Sequence, residues 1–90
     1  MNRKTIAAYV LRALAQAQMD GKVVTLAALT SELQVRKSDV RSVVTALHDQ
    51  GYVDALRMKL SWQGFAIGSA LIGATLPELR PQKHLTLVAA

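Results

Sequence analysis

The side chains best suited to recognising another molecule lie between Arg36 and Thr45, in the stretch RKSDVRSVVT. Set on a helix at about 100° per residue, Ser38, Ser42, Thr45 and Asp49 fall on one face, with Arg41 on its flank. Val40, Val43, Val44 and Leu47 fall on the opposite face. The outward set is small and polar, with one long cation. Small side chains let a helix settle into the major groove of a duplex. An arginine can grip guanine N7 and O6 through two hydrogen bonds, while serine and threonine serve bases or phosphates. Arg36 and Lys37 stand at the N-terminal end of this segment. Free backbone N–H groups there favour a phosphate. Asp39 either stabilises the same helix end or accepts from cytosine N4.

Other chemistry is sparse. The two histidines, His48 and His84, are far apart, and there is no cysteine. No metal site, zinc–thiolate site, disulfide or thiol chemistry is expected. His48 is expected on the exposed flank of its helix. No nucleophile–base pairing, carboxylate pair or phosphate-cradling glycine loop appears. The chain therefore reads as a non-enzyme without a cofactor. Arg3, Lys4, Arg12 and Lys22 read as ordinary surface charges, with Arg3 and Lys4 within possible reach of flanking phosphates.

Ninety residues make one small domain, with a modest core that a partner subunit would help to stabilise. Half of the residues are apolar (51%), more than a disordered chain carries. The net charge of +5 suits a nucleic-acid partner without requiring one. The longest apolar run, Gly64 to Leu76, is shorter than the roughly 20 residues that span a bilayer. No membrane span is expected. Arg12, Gln16 and Gln18 interrupt the apolar stretch near the N-terminus, which reads as a structural helix rather than a signal peptide. A cytoplasmic location is the expectation.

The elements that would position these side chains follow from periodicity and punctuation. Residues 2–18 form the first helix, capped by Asn2 or Thr5 and carrying Ile6, Val10, Leu14 and Ala17 at helical spacing. Asp20-Gly21 ends it, and Val23-Val24 could form a short strand. Thr25 caps a second helix with Leu26, Leu29 and Leu33 inward. Gln34-Val35 turn the chain into the third, from about Ser38 to Gln50. Gly51 suits the left-handed position that ends it. Tyr52–Ala55 and Met58–Leu60 read as two short strands around Leu56-Arg57. Ser61 caps a fourth helix, 62–76, that stops before Pro77. Residues 77–90 read as an extended tail, in which Leu85–Val88 could add an edge strand or a partner contact. The fold class is mainly α with a small β-hairpin.

The segment LQVRKSDVRSVVTALHDQGYV resembles the core of MarR-like and related bacterial winged helix-turn-helix regulators. The matching positions are Leu33, Val35, Ser38, Val40, Leu47, Gly51, Tyr52 and Val53. LSWQG, from Leu60 to Gly64, resembles the LTxxG that leaves the wing of such proteins. The likeness spans about residues 20–68. It departs from the pattern at Gln34, where a turn glycine is usual, and at Asp39 and Asp49, which bring negative charge to the DNA side. The hairpin is also very short. The resemblance implies a winged helix-turn-helix over residues 1–76 and binding of double-stranded DNA through Arg36, Lys37, Ser38, Arg41, Ser42 and Thr45. Arg57 and Lys59 would touch phosphates from the wing.

The fourth helix supplies the other expectation. Phe65, Ile72 and Leu76 share one face, and Ile67 and Leu71 share a roughly opposite one. A helix apolar nearly all round must be buried nearly all round. A second copy of the chain would cover the further face, through Ile67, Leu71 and Ala74. Gly68 and Gly73 weaken the helix, which a close helix approach would explain. The sequence thus reads as a homodimeric, sequence-specific DNA-binding protein, a small transcriptional regulator acting by operator occupancy. The alternative is a winged-helix adaptor that docks on a protein and binds no DNA.

Overall fold

The computed structural model describes residues 3–76. Of the two expected caps, Thr5 lies inside α1 and is no cap, while Asn2, like the expected tail at 77–90, lies outside the described residues. The order of elements is α1 (Arg3–Met19), α2 (Leu26–Leu33), α3 (Lys37–Asp49), β1 (Val53–Asp54), β2 (Lys59–Leu60) and α4 (Trp62–Leu71). The protein is mainly helical, with one antiparallel two-stranded hairpin pairing Val53 with Leu60 and Asp54 with Lys59.

Each boundary has a local cause. Gly21 takes φ +70° after α1, a conformation that costs glycine little. The side chain of Thr25 accepts from Ala28 N–H at 3.1 Å and starts α2. Gln34 ends α2 in the left-handed region at φ 57°, and its N–H donates to Thr30 O. A residue with a Cβ pays about 1 kcal/mol for that conformation. Gly51, at φ +84°, ends α3 as its sequence position suggests. The hairpin tip is organised by Asp54, whose Oδ1 accepts from the N–H groups of Leu56 (3.1 Å) and Arg57 (3.3 Å). The strands are shorter than Tyr52–Ala55 and Met58–Leu60 because this side-chain turn takes over after one further pair. Ser61 caps α4, accepting from Gly64 N–H at 3.2 Å while donating to Gly51 O at 2.7 Å.

The core is drawn from every element before α4. Ile6, Val10, Leu11, Leu14 and Ala15 of α1 meet Leu29 of α2 and Val40, Val43, Val44 and Leu47 of α3. Val35, Val53 and Leu60 complete it. The inward face expected for α3 is therefore the buried one. Helix α4 lies across α1, and its own fully buried positions are two glycines, Gly64 and Gly68. A Cβ on Gly68 would stand 2.4 Å from the Leu11 carbonyl oxygen and 2.9 Å from Ala15 Cβ. A Cβ on Gly64 would meet the Tyr52 carbonyl oxygen at 2.0 Å. The absent side chains bring α4 so close that Phe65, Leu71 and Ile72 all reach the core.

Three further expectations need correction. Helix α4 ends at Leu71 rather than Leu76. There Ile72 N–H bonds Ser69 O and Ala74 N–H bonds Leu71 O, so the chain tightens into turns around Gly73, a poor helix former. Among the described residues nothing lies within 4 Å of a Cβ on Gly73, so close packing within them accounts for Gly68 but not for Gly73. Val23-Val24 forms no strand; Val23 is 83% exposed, and no strand among the described residues pairs with it.

Candidate nucleic-acid interface

The amphipathic register of α3 decides what faces outward. With Val40, Val43, Val44 and Leu47 buried, Ser38, Arg41, Ser42 and Thr45 are held exposed on a rigid helix. These four side chains, with Asp49, line one shallow concavity. Arg3 completes its wall, although it comes from the first turn of α1. The guanidinium of Arg3 donates to Ser42 Oγ, a contact across 39 positions of sequence. The sequence offers Arg3 as a surface charge or a contact to a flanking phosphate, and does not place it beside Ser42. No local pattern marks it, because the contact depends on α1 crossing α3.

The other candidate cations are in different states. Arg36 precedes α3 and pairs with Asp39 at 3.6 Å. Both are solvent-facing, so the pair contributes at most about 1 kcal/mol and yields readily to a stronger anion. Among the described residues no side chain caps the start of α3, which leaves the amide groups beside Lys37 and Ser38 for an external acceptor. Arg57 pairs with Asp54 at 3.7 Å on the hairpin tip. Arg41, Lys37 and Lys59 form no ion pair among the described residues and are exposed. Arg57 and Lys59 do not line the concavity; the hairpin carries them separately.

The hairpin is nevertheless fastened to its surroundings. His48, on the exposed flank of α3, accepts from Ala55 N–H through Nδ1 at 3.1 Å. Gln18 Oε1, near the end of α1, accepts from Leu60 N–H at 2.7 Å. One helix thus touches α3 at its beginning and the hairpin at its end. Chemically the arrangement offers hydrogen-bond donors in quantity: two guanidinium groups and three hydroxyls lining the concavity, with unpaired amides at the start of α3. Such a set suits an anionic partner with acceptor groups. Among the described residues no cluster of His, Asp or Glu could hold a metal ion, and no helix is long and apolar enough to cross a membrane.

A second surface is apolar. From Ser61 to Leu76 the chain carries no charged residue. Trp62 (79%) and Ile67 (40%) are exposed on α4, with Ala66 and Ala70 beside them. Of the three residues expected to meet a second copy, Ile67 and Ala74 face outward. Leu71 is half-buried against the chain's own core, so the expected division of α4 into opposite faces is redrawn. Comparison with known protein families, curated proteins and solved structures finds no match.

Proposed function

We propose that this chain is a sequence-specific double-stranded DNA-binding protein, a small homodimeric transcriptional regulator of winged helix-turn-helix type that acts in the cytoplasm by occupying its operator. The observation that carries this reading is the outward face of α3. Ser38, Arg41, Ser42 and Thr45 converge there on one concavity, backed by a fully packed apolar face. In this reading α2 and α3 are the helix-turn-helix, α3 enters the major groove and the hairpin is the wing. Arg41 reads a base edge, Arg36 and Lys37 hold phosphates at the helix entrance, and Arg57 and Lys59 add phosphate contacts from the wing. The uncharged outer side of α4, with Ile67 and Ala74, joins two copies. Two recognition helices then read half-sites about one helical turn, roughly 10 base pairs, apart.

The test is a mobility-shift titration on DNA from around the chain's own gene, repeated across a salt series. Binding should weaken steeply with salt as counterions are released. Arg41→Ala should cost about 1 to 3 kcal/mol on the selected site and much less on random duplex. Equal losses on both would make Arg41 a phosphate contact instead. A second reading, an adaptor that docks on a protein, is favoured by the exposure of Trp62 (79%) and Leu56 (93%). Failure to retard any duplex at physiological salt would leave the adaptor in its place.

A further inference from the structure

The contact between Arg3 and Ser42 joins two elements that sequence order separates, and it lies inside the concavity of α3. We infer that Arg3 is a DNA-contacting residue that also sets Ser42 as a hydrogen-bond donor toward the bases. This deepens the DNA-binding reading and rests on it.

The argument is one of donors and acceptors. A guanidinium carries five N–H donors and no acceptor. Arg3 donates to Ser42 Oγ, so the serine oxygen is engaged as an acceptor. The hydroxyl proton cannot return to the arginine. Serine and threonine within helices often donate back to the preceding turn. Thr30 does so here, to Leu26 O at 2.9 Å. Ser42 makes no such bond among the described residues. Its proton therefore points to an acceptor from outside the protein. In the major groove the acceptors are purine N7, guanine O6 and thymine O4, while cytosine N4 and adenine N6 are donors. A serine held in this state selects for the former and against the latter.

Arg3 itself keeps most of its donors. It forms no ion pair among the described residues, unlike Arg36 and Arg57, which have Asp39 and Asp54. Asp49 lines the same concavity but forms no ion pair with Arg3 among the described residues. A cation set at the wall of the groove-facing surface, with its fork only partly used, is placed for a backbone phosphate beside the base that Ser42 reads.

The experiment measures duplex affinity by fluorescence anisotropy for the wild type, Arg3→Ala, Arg3→Lys, Ser42→Ala and the double variant Arg3→Ala/Ser42→Ala. Arg3 is exposed at a helix end, so unfolding curves of the variants should overlay that of the wild type. Loss of one phosphate contact lowers the salt slope by about 0.9. Arg3→Ala should then lose about 3.5-fold less affinity than the wild type over a fourfold rise in salt. Arg3→Lys should restore that slope. Arg3→Ala should also admit an amino-bearing base at the position that Ser42 reads, and Ser42→Ala should cost less in the Arg3→Ala background than alone. If the wild type binds duplex and Arg3→Ala matches it in affinity, slope and base preference, the inference on Arg3 is overturned while DNA binding stands. If the wild type binds no duplex, both readings fall.

Discussion

Substituting alanine for Gly68 adds one methyl group at the crossing of α4 and α1. That methyl would stand 2.4 Å from the Leu11 carbonyl oxygen. Carbon–oxygen contacts settle near 3.3 to 3.6 Å, so the shortfall is about 1 Å. Leu11 O belongs to the main chain of a 17-residue helix and cannot swing aside as a side chain would. Helix α4 must move instead, and the move loosens Phe65, Leu71 and Ile72 from the core. Overpacking of this kind costs typically 1 to 3 kcal/mol, and an unyielding backbone puts Gly68 near about 3. Alanine recovers about 1 kcal/mol of helix propensity over glycine. The net expectation is a loss of about 2 kcal/mol. For a domain of this size each kcal/mol shifts Tm by roughly 4 to 8 °C, so Gly68→Ala should melt about 8 to 16 °C below the wild type. Thermal scans by circular dichroism at one fixed protein concentration measure this, since any dimer makes Tm concentration-dependent. Gly73→Ala is the control: its Cβ meets none of the described residues within 4 Å, and a neutral or slightly stabilising effect is expected. A Gly68→Ala protein that melts at or above the wild-type temperature would refute the close crossing.

Two other substitutions probe the same helix. Ser61→Ala removes the acceptor for Gly64 N–H and the donor to Gly51 O, and should lower stability by about 1 to 2 kcal/mol. In urea titrations the midpoint should fall with the slope unchanged. Ile67→Glu should abolish the proposed dimer, because burying such a side chain favours association by roughly 1.5 to 3 kcal/mol and a carboxylate reverses that gain. Sedimentation that gives the wild type a one-chain mass across micromolar concentrations would rule the dimer out.

How much of this was legible beforehand depended on whether a feature is local. The inward face of α3 follows from spacing alone, because four apolar residues at helical intervals leave one way to bury them. Thr25, Ser61 and Gly51 announce helix ends through the chemistry of their own side chains or lack of one. Arg3 and Gln18 could not be read this way, since each acts on a partner some 40 residues distant, Ser42 and Leu60. The fourth helix was misjudged for a different reason. Its apolar residues invite a search for faces by bulk, yet the side that meets α1 is marked by Gly64 and Gly68, the residues with least bulk. Once the glycines set the crossing, Leu71 falls against the core rather than opposite it. The expected end at Leu76 rests on Pro77 as the helix stop, but Gly73 lets the chain turn before the proline is reached.

The bond from Leu60 N–H to Gln18 has a consequence for how copies of this protein meet. A two-stranded hairpin has two open edges, and an open edge invites a strand from another molecule. On β2 the N–H of Leu60, which would recruit such a strand, is taken by the Gln18 side chain at 2.7 Å. The carboxamide imitates the carbonyl of a third strand and fills its place. Further along, Asp54 and Arg57 put charge at the tip. Sheet extension, the usual route by which short exposed strands drift into disordered aggregates, is closed on that side by one glutamine. Association is left to side-chain surfaces, which can be selective about orientation and about partner.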